Sequence, residues 1–489
     1  MNIPRHPALL RRPLSSHLQF LLLIAGSYCL IVFLYSVFFR FTYPYELDLI
    51  EGGMLEQVRH VAHGGSLYAK PSLEFAAFIY GPLFTYLAAY ASAIFGEGFE
   101  NIRLLSILAT VFSCVAIFQI VRKGVGSRLP GFFAAMLFLG TYADCGFSFD
   151  QGRVDALFVS LLLWGYYFLR FGSAERGWIA AALLLAAAFF TKQIALIPIL
   201  CLIPVARQRG TRCFLLFCLC LLMLCVGGAF AINYLSGGWY FYYAFDLPAQ
   251  HDTRVAYYQY FWLSDVLLVM PIAALLSVFG LYLQAKRSRD ETFIGNLSLL
   301  SGFVMLSWVS RLHAGGIENV LAPAYAAFSI VAVSTLPYLK HIASGYALLF
   351  AQFLLLIHPV NAALPPSADR AADDQIVKLI SSYVGDVFVP YHPYLLSLSG
   401  KQSHVHHWAL YDVLRGDPDG EAPRLRQELE SAFSARKFAA IITDDGWFKD
   451  QIERFYAWKA KLQPGDPTVR SRSGEPRTRP ENLYEPKPY

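Results

Sequence analysis

Tyr45-Glu46-Leu47-Asp48-Leu49-Ile50-Glu51-Gly52-Gly53 places three carboxylates within six residues, just past an apolar run from Leu18 to Phe39. A helix needs about 20 apolar residues to cross a hydrocarbon core, so the acids fall where such a helix meets water. Acids at a membrane surface are readily solvated, and one reading is a polar loop. The other is a general base held at the bilayer edge, facing a substrate whose other half is lipid. The rest of the chain decides between them.

Composition sets the class. Of 489 residues, 56% are hydrophobic and 15% charged, against roughly 25% charged in a soluble domain. Most of the chain therefore belongs in lipid. Leu18 to Phe39 is too long for a signal-peptide core and has no small-residue cleavage site, so it reads as a retained span. Ten further apolar runs follow, at 103–120, 129–143, 155–170, 177–190, 194–206, 213–234, 263–284, 293–310, 319–336 and 341–358. The stretch 79–95, which holds Gly81-Pro82, is short and aromatic. If it lies along the interface, fifteen Lys and Arg, including Arg5, Arg11 and Arg12, fall on the N-terminal side and eight on the other. If it crosses, that bias reverses, against the rule that cytoplasmic loops are basic. The expectation is a mainly α, polytopic transmembrane bundle of eleven spans plus interfacial helices, with the N-terminus in the cytoplasm. Fourteen acids then face outward, and only Glu175, Asp290 and Glu291 face inward.

Arg176 and Arg207 flank thirty largely apolar residues broken by Thr191-Lys192-Gln193. One long helix would hold Lys192 near mid-membrane at about 3 kcal/mol, so the segment is expected to go out and back, with Lys192 at the outer turn. After Pro359 the composition changes: residues 359–489 carry 17 Lys and Arg against 18 Asp and Glu and no run long enough to span. Residues 1–358 thus form a membrane module, with 41–102 as its first outer loop, and 359–489 a small extracytoplasmic α/β domain. Helices are predicted at 375–384 and 422–436 and strands at 387–389 and 438–443. The tail from about 463, rich in Pro, Arg and Glu, is predicted to be poorly ordered. The eight cysteines end at Cys225 and form no metal-type pair, which argues against a disulfide or zinc framework.

Three further groups sit on the outer side. Asp144 and Asp150-Gln151-Gly152-Arg153-Val154-Asp155 open a span, where two acids and an arginine can orient a sugar or a metal, or simply cap a helix. Lys192 is either a phosphate contact or a snorkelling lysine. Ser310-Arg311-Leu312-His313-Ala314-Gly315-Gly316-Ile317-Glu318-Asn319 is a substrate loop or a polar turn. Together they put carboxylates, Lys192, Arg153 and Arg311 on one face. Transfer of a sugar from a lipid phosphate needs that set: a base for the acceptor hydroxyl and cations for the departing phosphate. In the tail, His392, His404, His406 and His407 with Asp412 make a metal site only if their geometry converges. Pro390-Tyr391-His392-Pro393-Tyr394 could cover an acceptor groove.

Five segments carry a family resemblance: Glu51-Gly52-Gly53 with Gly65-Ser66-Leu67-Tyr68, Tyr80-Gly81-Pro82-Leu83, Arg153-Val154-Asp155, Thr191-Lys192-Gln193, and Asn319-Val320-Leu321-Ala322-Pro323. In this order the chain resembles the GT-C glycosyltransferases of the family 39 type, relatives of dolichyl-phosphate-mannose and aminoarabinose transferases. The resemblance implies inverting transfer from a polyprenyl-phosphate sugar to a glycan, lipid or protein acceptor, at the outer face of a bacterial inner membrane, without nucleic acid. It implies no certain cofactor and leaves a divalent metal open. Glu51 matches the second residue of the family's Asp-Glu pair, with Ile50 before it, so the base is ranked Glu51, Asp48, Glu46. Asp155 matches the second acid and Lys192 the lysine near the donor phosphate. Gly81 stands where the family has a lysine, which passes a phosphate contact to Arg153 or Arg311. Asp150, His313, Glu318 and Asn319 complete the expected substrate side. The competing reading is a flippase for a lipid-linked sugar, but 103–120, 213–234 and 341–358 carry almost no polar residues at membrane depth.

Overall fold

The computed structural model describes residues 13–173, 176–444, 446–462 and 479–488. Arg5, Arg11, Arg12, Glu175 and residues 463–478 of the tail lie outside the described residues. The chain runs through α1 (Pro13–Arg40), α2 (Leu49–Ala62), α3 (Leu83–Phe95), α4 (Phe99–Val125), α5 (Arg128–Gly140), α6 (Val154–Phe171) and α7 (Gly177–Phe189). Then come α8 (Thr211–Leu235), α9 (Pro271–Arg287), α10 (Glu291–Leu312), α11 (Glu318–Tyr338) and α12 (Ile342–Leu355).

Six helices, α1, α4, α6, α8, α10 and α11, are long and apolar enough to cross a membrane, or seven if Tyr257–Val266 and α9, which meet at 98°, form one broken span. Helices α3, α5, α7 and α12 are apolar but shorter. The eleven expected runs are therefore not eleven long helices among the described residues. The run 194–206, for example, divides into Leu196–Cys201 and Ile203–Arg207, with Pro198 and Pro204 in the two pieces. Helix α7 ends at Phe189 and Lys192 is extended (φ −144°, ψ 120°), so Lys192 sits at a break and not inside one long helix. Of the six candidate spans α11 is the most enclosed, 89% buried, and α4, α5, α9 and α10 pack against it.

Residues 367–486 hold α13 (Ser367–Ser382), α14 (His407–Gly416), α15 (Glu421–Ser434) and a four-stranded sheet. Its strands are β1 (Val387–Phe388), β2 (Ala440–Thr443), β3 (Tyr456–Lys461) and β4 (Asn482–Pro486), in spatial order β1-β2-β4-β3. Strands β1 and β2 run parallel, and β4 pairs antiparallel with both neighbours. Helices α13 and α15 and the first two strands overlap the stretches predicted for them, whereas α14 falls where the sequence pattern predicts no helix. Strand β4 corrects that pattern too, because it lies inside the stretch expected to be poorly ordered. Its five residues bury Leu483 and Tyr484, and partners on both sides supply the hydrogen bonds that so short a strand could not hold alone.

Candidate active site

Asp48 is the N-cap of α2: its backbone is extended and its Oδ1 accepts from the Ile50 N–H at 3.0 Å. That start turns Glu51 inward, to 0% exposure. Arg103 of α4 donates to it from Nε and from Nη2, each at 2.9 Å. The Gly152 and Leu47 N–H groups add two bonds at 2.7 Å. A carboxylate offers about four acceptor positions, and these donors fill them. Burial alone would raise the Glu51 pKa, but the Arg103 guanidinium overrides it and the carboxyl stays below its usual range. Arg103 also donates to the carbonyls of Tyr43 and Tyr45 at 2.5 and 2.6 Å. Glu51 is thus the tie that fixes the first loop to α4 and to the 150s loop. The ranking that put it first as base is corrected: a saturated, weakly basic carboxylate has no lone pair for a substrate.

Glu46 is also engaged. Its Oε1 lies 2.5 Å from His392 Nδ1, and His392 Nε2 lies 2.7 Å from Asp444 Oδ2, with all three residues buried. Burial would lower the His392 pKa, but Asp444 and Glu46 together lift it to about 10. The imidazolium therefore bridges the first loop to the end of β2. Gly52 and Gly53 allow the approach: a Cβ on Gly52 would meet a Glu46 carboxylate oxygen at 2.3 Å, and one on Gly53 would meet His406 at 2.7 Å. The sign of the pH effect follows from the raised pKa. The bridge stabilises fully below about pH 6.5 and is lost as pH rises towards 10. Melting curves of the wild type and His392→Gln should differ most at pH 6.5 and converge towards pH 10; a gap that grows with pH would refute the assignment.

Asp48 differs from both. It is 20% exposed, its Oδ1 also accepts from Arg153 Nη1 at 2.5 Å, and its Oδ2 takes no hydrogen bond among the described residues. Arg153 Nε lies 3.3 Å from Asp155 Oδ2, and Asp155 Oδ1 accepts from Lys192 Nζ at 2.6 Å. Asn319 hydrogen-bonds the same carboxylate. Asp48, Arg153, Asp155 and Lys192 thus form a row of alternating charge. The row ends on a small cleft lined by the polar groups Asp155, Lys192, Ser310 and Asn319 and by apolar groups such as Phe158, Leu306 and Pro323.

The loop 79–83 supports Lys192. Its Gly81 N–H donates to the Thr191 carbonyl and Leu83 N–H to that of Phe190, while Tyr80 sets its ring 5.6 Å from Lys192 Nζ. A Cβ on Gly81 would fall 2.2 Å from the Phe190 carbonyl oxygen. No side chain fits there. Gly81→Ala should cost about 1–3 kcal/mol as overpacking and displace Lys192. Its melting temperature and transfer rate should fall together, and an unchanged melt would refute the close packing.

The other expected residues are committed elsewhere. Asp150 pairs with Arg40 Nε at 3.1 Å and accepts from Tyr142 at 2.7 Å. Arg311, fully buried, donates to Asp265 at 2.9 Å and to the Gly316 carbonyl at 2.8 Å, with Glu318 at 3.5 Å. His313 Nε2 lies 2.7 Å from His251 Nδ1, and its Nδ1 accepts from the Gly315 N–H. Burial and the nearby Arg415 push His251 to about 3 and His313 to about 4, so both are neutral. Arg311 and His313 therefore do not offer a free cation to a phosphate. Among the described residues no three His, Cys, Asp or Glu side chains are grouped to hold a metal ion. His392 binds two carboxylates, His406 faces the Leu49 carbonyl, and His404 packs on Phe388 and Phe438.

The sequence of the family described as dolichyl-phosphate-mannose-protein mannosyltransferase matches residues 80–237, which hold Arg153, Asp155 and Lys192. ArnT from Cupriavidus metallidurans, solved in the apo state, superposes with a TM-score of 0.62 at 12% identity, over 94% of this chain and 97% of that one. The chain shares the fold of that protein, and about a third of it is similar to the mannosyltransferase family. The same ArnT bound to undecaprenyl phosphate gives a TM-score of 0.60 at 11% identity over the same shares. No curated protein matches in sequence. A chain with this fold and this set of apolar helices is an integral, multi-pass membrane protein. Arg103, Arg40, Asp265 and His251, the buried partners that decide which expected residues are free, were not singled out by the sequence. One signal was available for Arg103: a lone cation at the head of an otherwise apolar run that faces an acidic loop.

Proposed function

We propose that this protein transfers a sugar from a polyprenyl-phosphate donor to an acceptor hydroxyl at the non-cytoplasmic surface of a bacterial inner membrane. The observation that carries the reading is the charge row ending on a cleft lined by both polar and apolar groups. Asp48 Oδ2 takes the proton of the acceptor hydroxyl. The freed oxygen bonds to the anomeric carbon from the face opposite the phosphate. The carbon–oxygen bond to phosphate breaks, and its electron pair leaves on the phosphate oxygen with inversion. Lys192 Nζ and Arg153 stabilise that growing charge, Asp155 holds both cations in place, and Asn319 orients Asp155. The apolar lining takes the first isoprene units. A relative crystallised with undecaprenyl phosphate supports this donor class.

The test is transfer from a panel of radiolabelled polyprenyl-phosphate sugars to membrane extract by the purified full-length protein. Transfer from at least one donor is expected, and Lys192→Met should slow it about 10²-fold. No turnover with any donor overturns the proposal. Single cysteines at the exposed Ser367 or at Ser403 should react with impermeant reagents from outside; labelling only after lysis overturns the sidedness.

A further inference from the structure

Helix α14 carries side chains that sugar transfer as described leaves unused. Trp408, Tyr411, Asp412 and Arg415 stand three and four residues apart and share one face. The rings of Trp408 and Tyr411 meet edge-on at 5.8 Å, with Tyr411 37% exposed and Trp408 half-buried. They are braced from behind: His407 lies parallel to Tyr411 at 5.8 Å, stacks on Tyr391 at 4.0 Å and abuts Trp447 at 4.9 Å.

Beside this platform is an incompletely satisfied ion pair. Asp412 Oδ1 accepts from Arg415 Nη2 at 2.7 Å and faces His251 Nε2 at 3.3 Å. Asp412 is 7% exposed, and the buried Arg415 Nε has no acceptor among the described residues. A buried polar group without a partner costs about 1–3 kcal/mol, so a ligand with hydroxyls has something to gain at this point. Asp412 also acts electrostatically on Tyr80, whose ring lies 5.6 Å from Lys192 Nζ.

We propose that this face of α14 is the acceptor subsite and that it takes a carbohydrate, with a pyranose ring against Trp408 and Tyr411 and its hydroxyls on Asp412 and Arg415. The word acceptor rests on the transfer reading above. The chemistry is complementary: aromatic faces carry partial negative charge that attracts the slightly positive C–H face of a sugar. A carboxylate accepts from hydroxyls and a guanidinium donates to them. An acyl chain would use the rings and leave the ion pair unmet.

Saturation-transfer NMR on the full-length protein in nanodiscs, probed with methyl glucoside, methyl galactoside, methyl mannoside and N-acetylglucosamine, should give signals from at least one sugar. Trp408→Ala and Asp412→Asn should remove them, while Tyr411→Phe, which keeps the ring, should not. In the transfer assay Trp408→Ala should raise the KM for acceptor at least tenfold. Silence from every sugar, or signals indifferent to Trp408→Ala and Asp412→Asn, overturns the subsite. Sugar binding by a wild type that turns over no donor overturns the transfer reading alone.

Discussion

Asp48→Asn should yield a protein that inserts, folds and binds donor, yet transfers sugar about 10²–10⁴-fold more slowly, the range for losing a positioned general base. Asparagine keeps the side-chain oxygen that caps α2 and faces Arg153, so the melt should hardly move. What goes is the carboxylate oxygen open to the site, the only proton acceptor this assignment supplies. Glu51→Gln discriminates. If Glu51 were the base, its amide variant would lose transfer while keeping its melting temperature. The buried Arg103 pair predicts the reverse order, with stability falling first. Wild-type rates in Asp48→Asn would end the assignment.

Arg103→Leu should be the most destabilising single change at this face. It leaves Glu51 charged in a site with 0% exposure, and breaking a buried pair from one side costs about 3–5 kcal/mol. The loss should appear as a lower melting temperature in detergent and poor yield. Arg103→Leu combined with Glu51→Met should recover part of it, because no orphan charge remains. Recovery will be incomplete, since the Gly152 and Leu47 N–H groups lose their acceptor. A single variant as stable as the wild type would mean that water reaches Glu51.

The architecture was largely legible and the division of labour among the acids was not, for one physical reason. Hydropathy and charge sidedness are carried by runs of adjacent residues, so the apolar helices and the break at Lys192 could be read directly. Whether a carboxylate is free depends on a partner that sequence spacing does not reveal. Glu51 is quenched by Arg103, 52 residues away, Arg311 by Asp265, 46 away, and Glu46 by His392, 346 away. A family motif that highlights Glu51, or a loop reading that picks out Arg311, cannot see those partners. The strand at 482–486 was hidden likewise, since its neighbours make it a strand.

The place of β4 in the sheet has a consequence for biosynthesis. It is inserted between β2 and β3, and its leading Glu481 N–H binds the Thr443 carbonyl, next to the Asp444 that anchors His392 and through it the first loop. The emerging polypeptide can thread its spans early, but this brace cannot lock until residues 482–486 have left the ribosome. Nascent molecules in which they have not emerged should therefore stay inert towards lipid-linked sugars. A stop before Asn482 should give an inserted protein with a protease-sensitive 359–462 segment and no transfer.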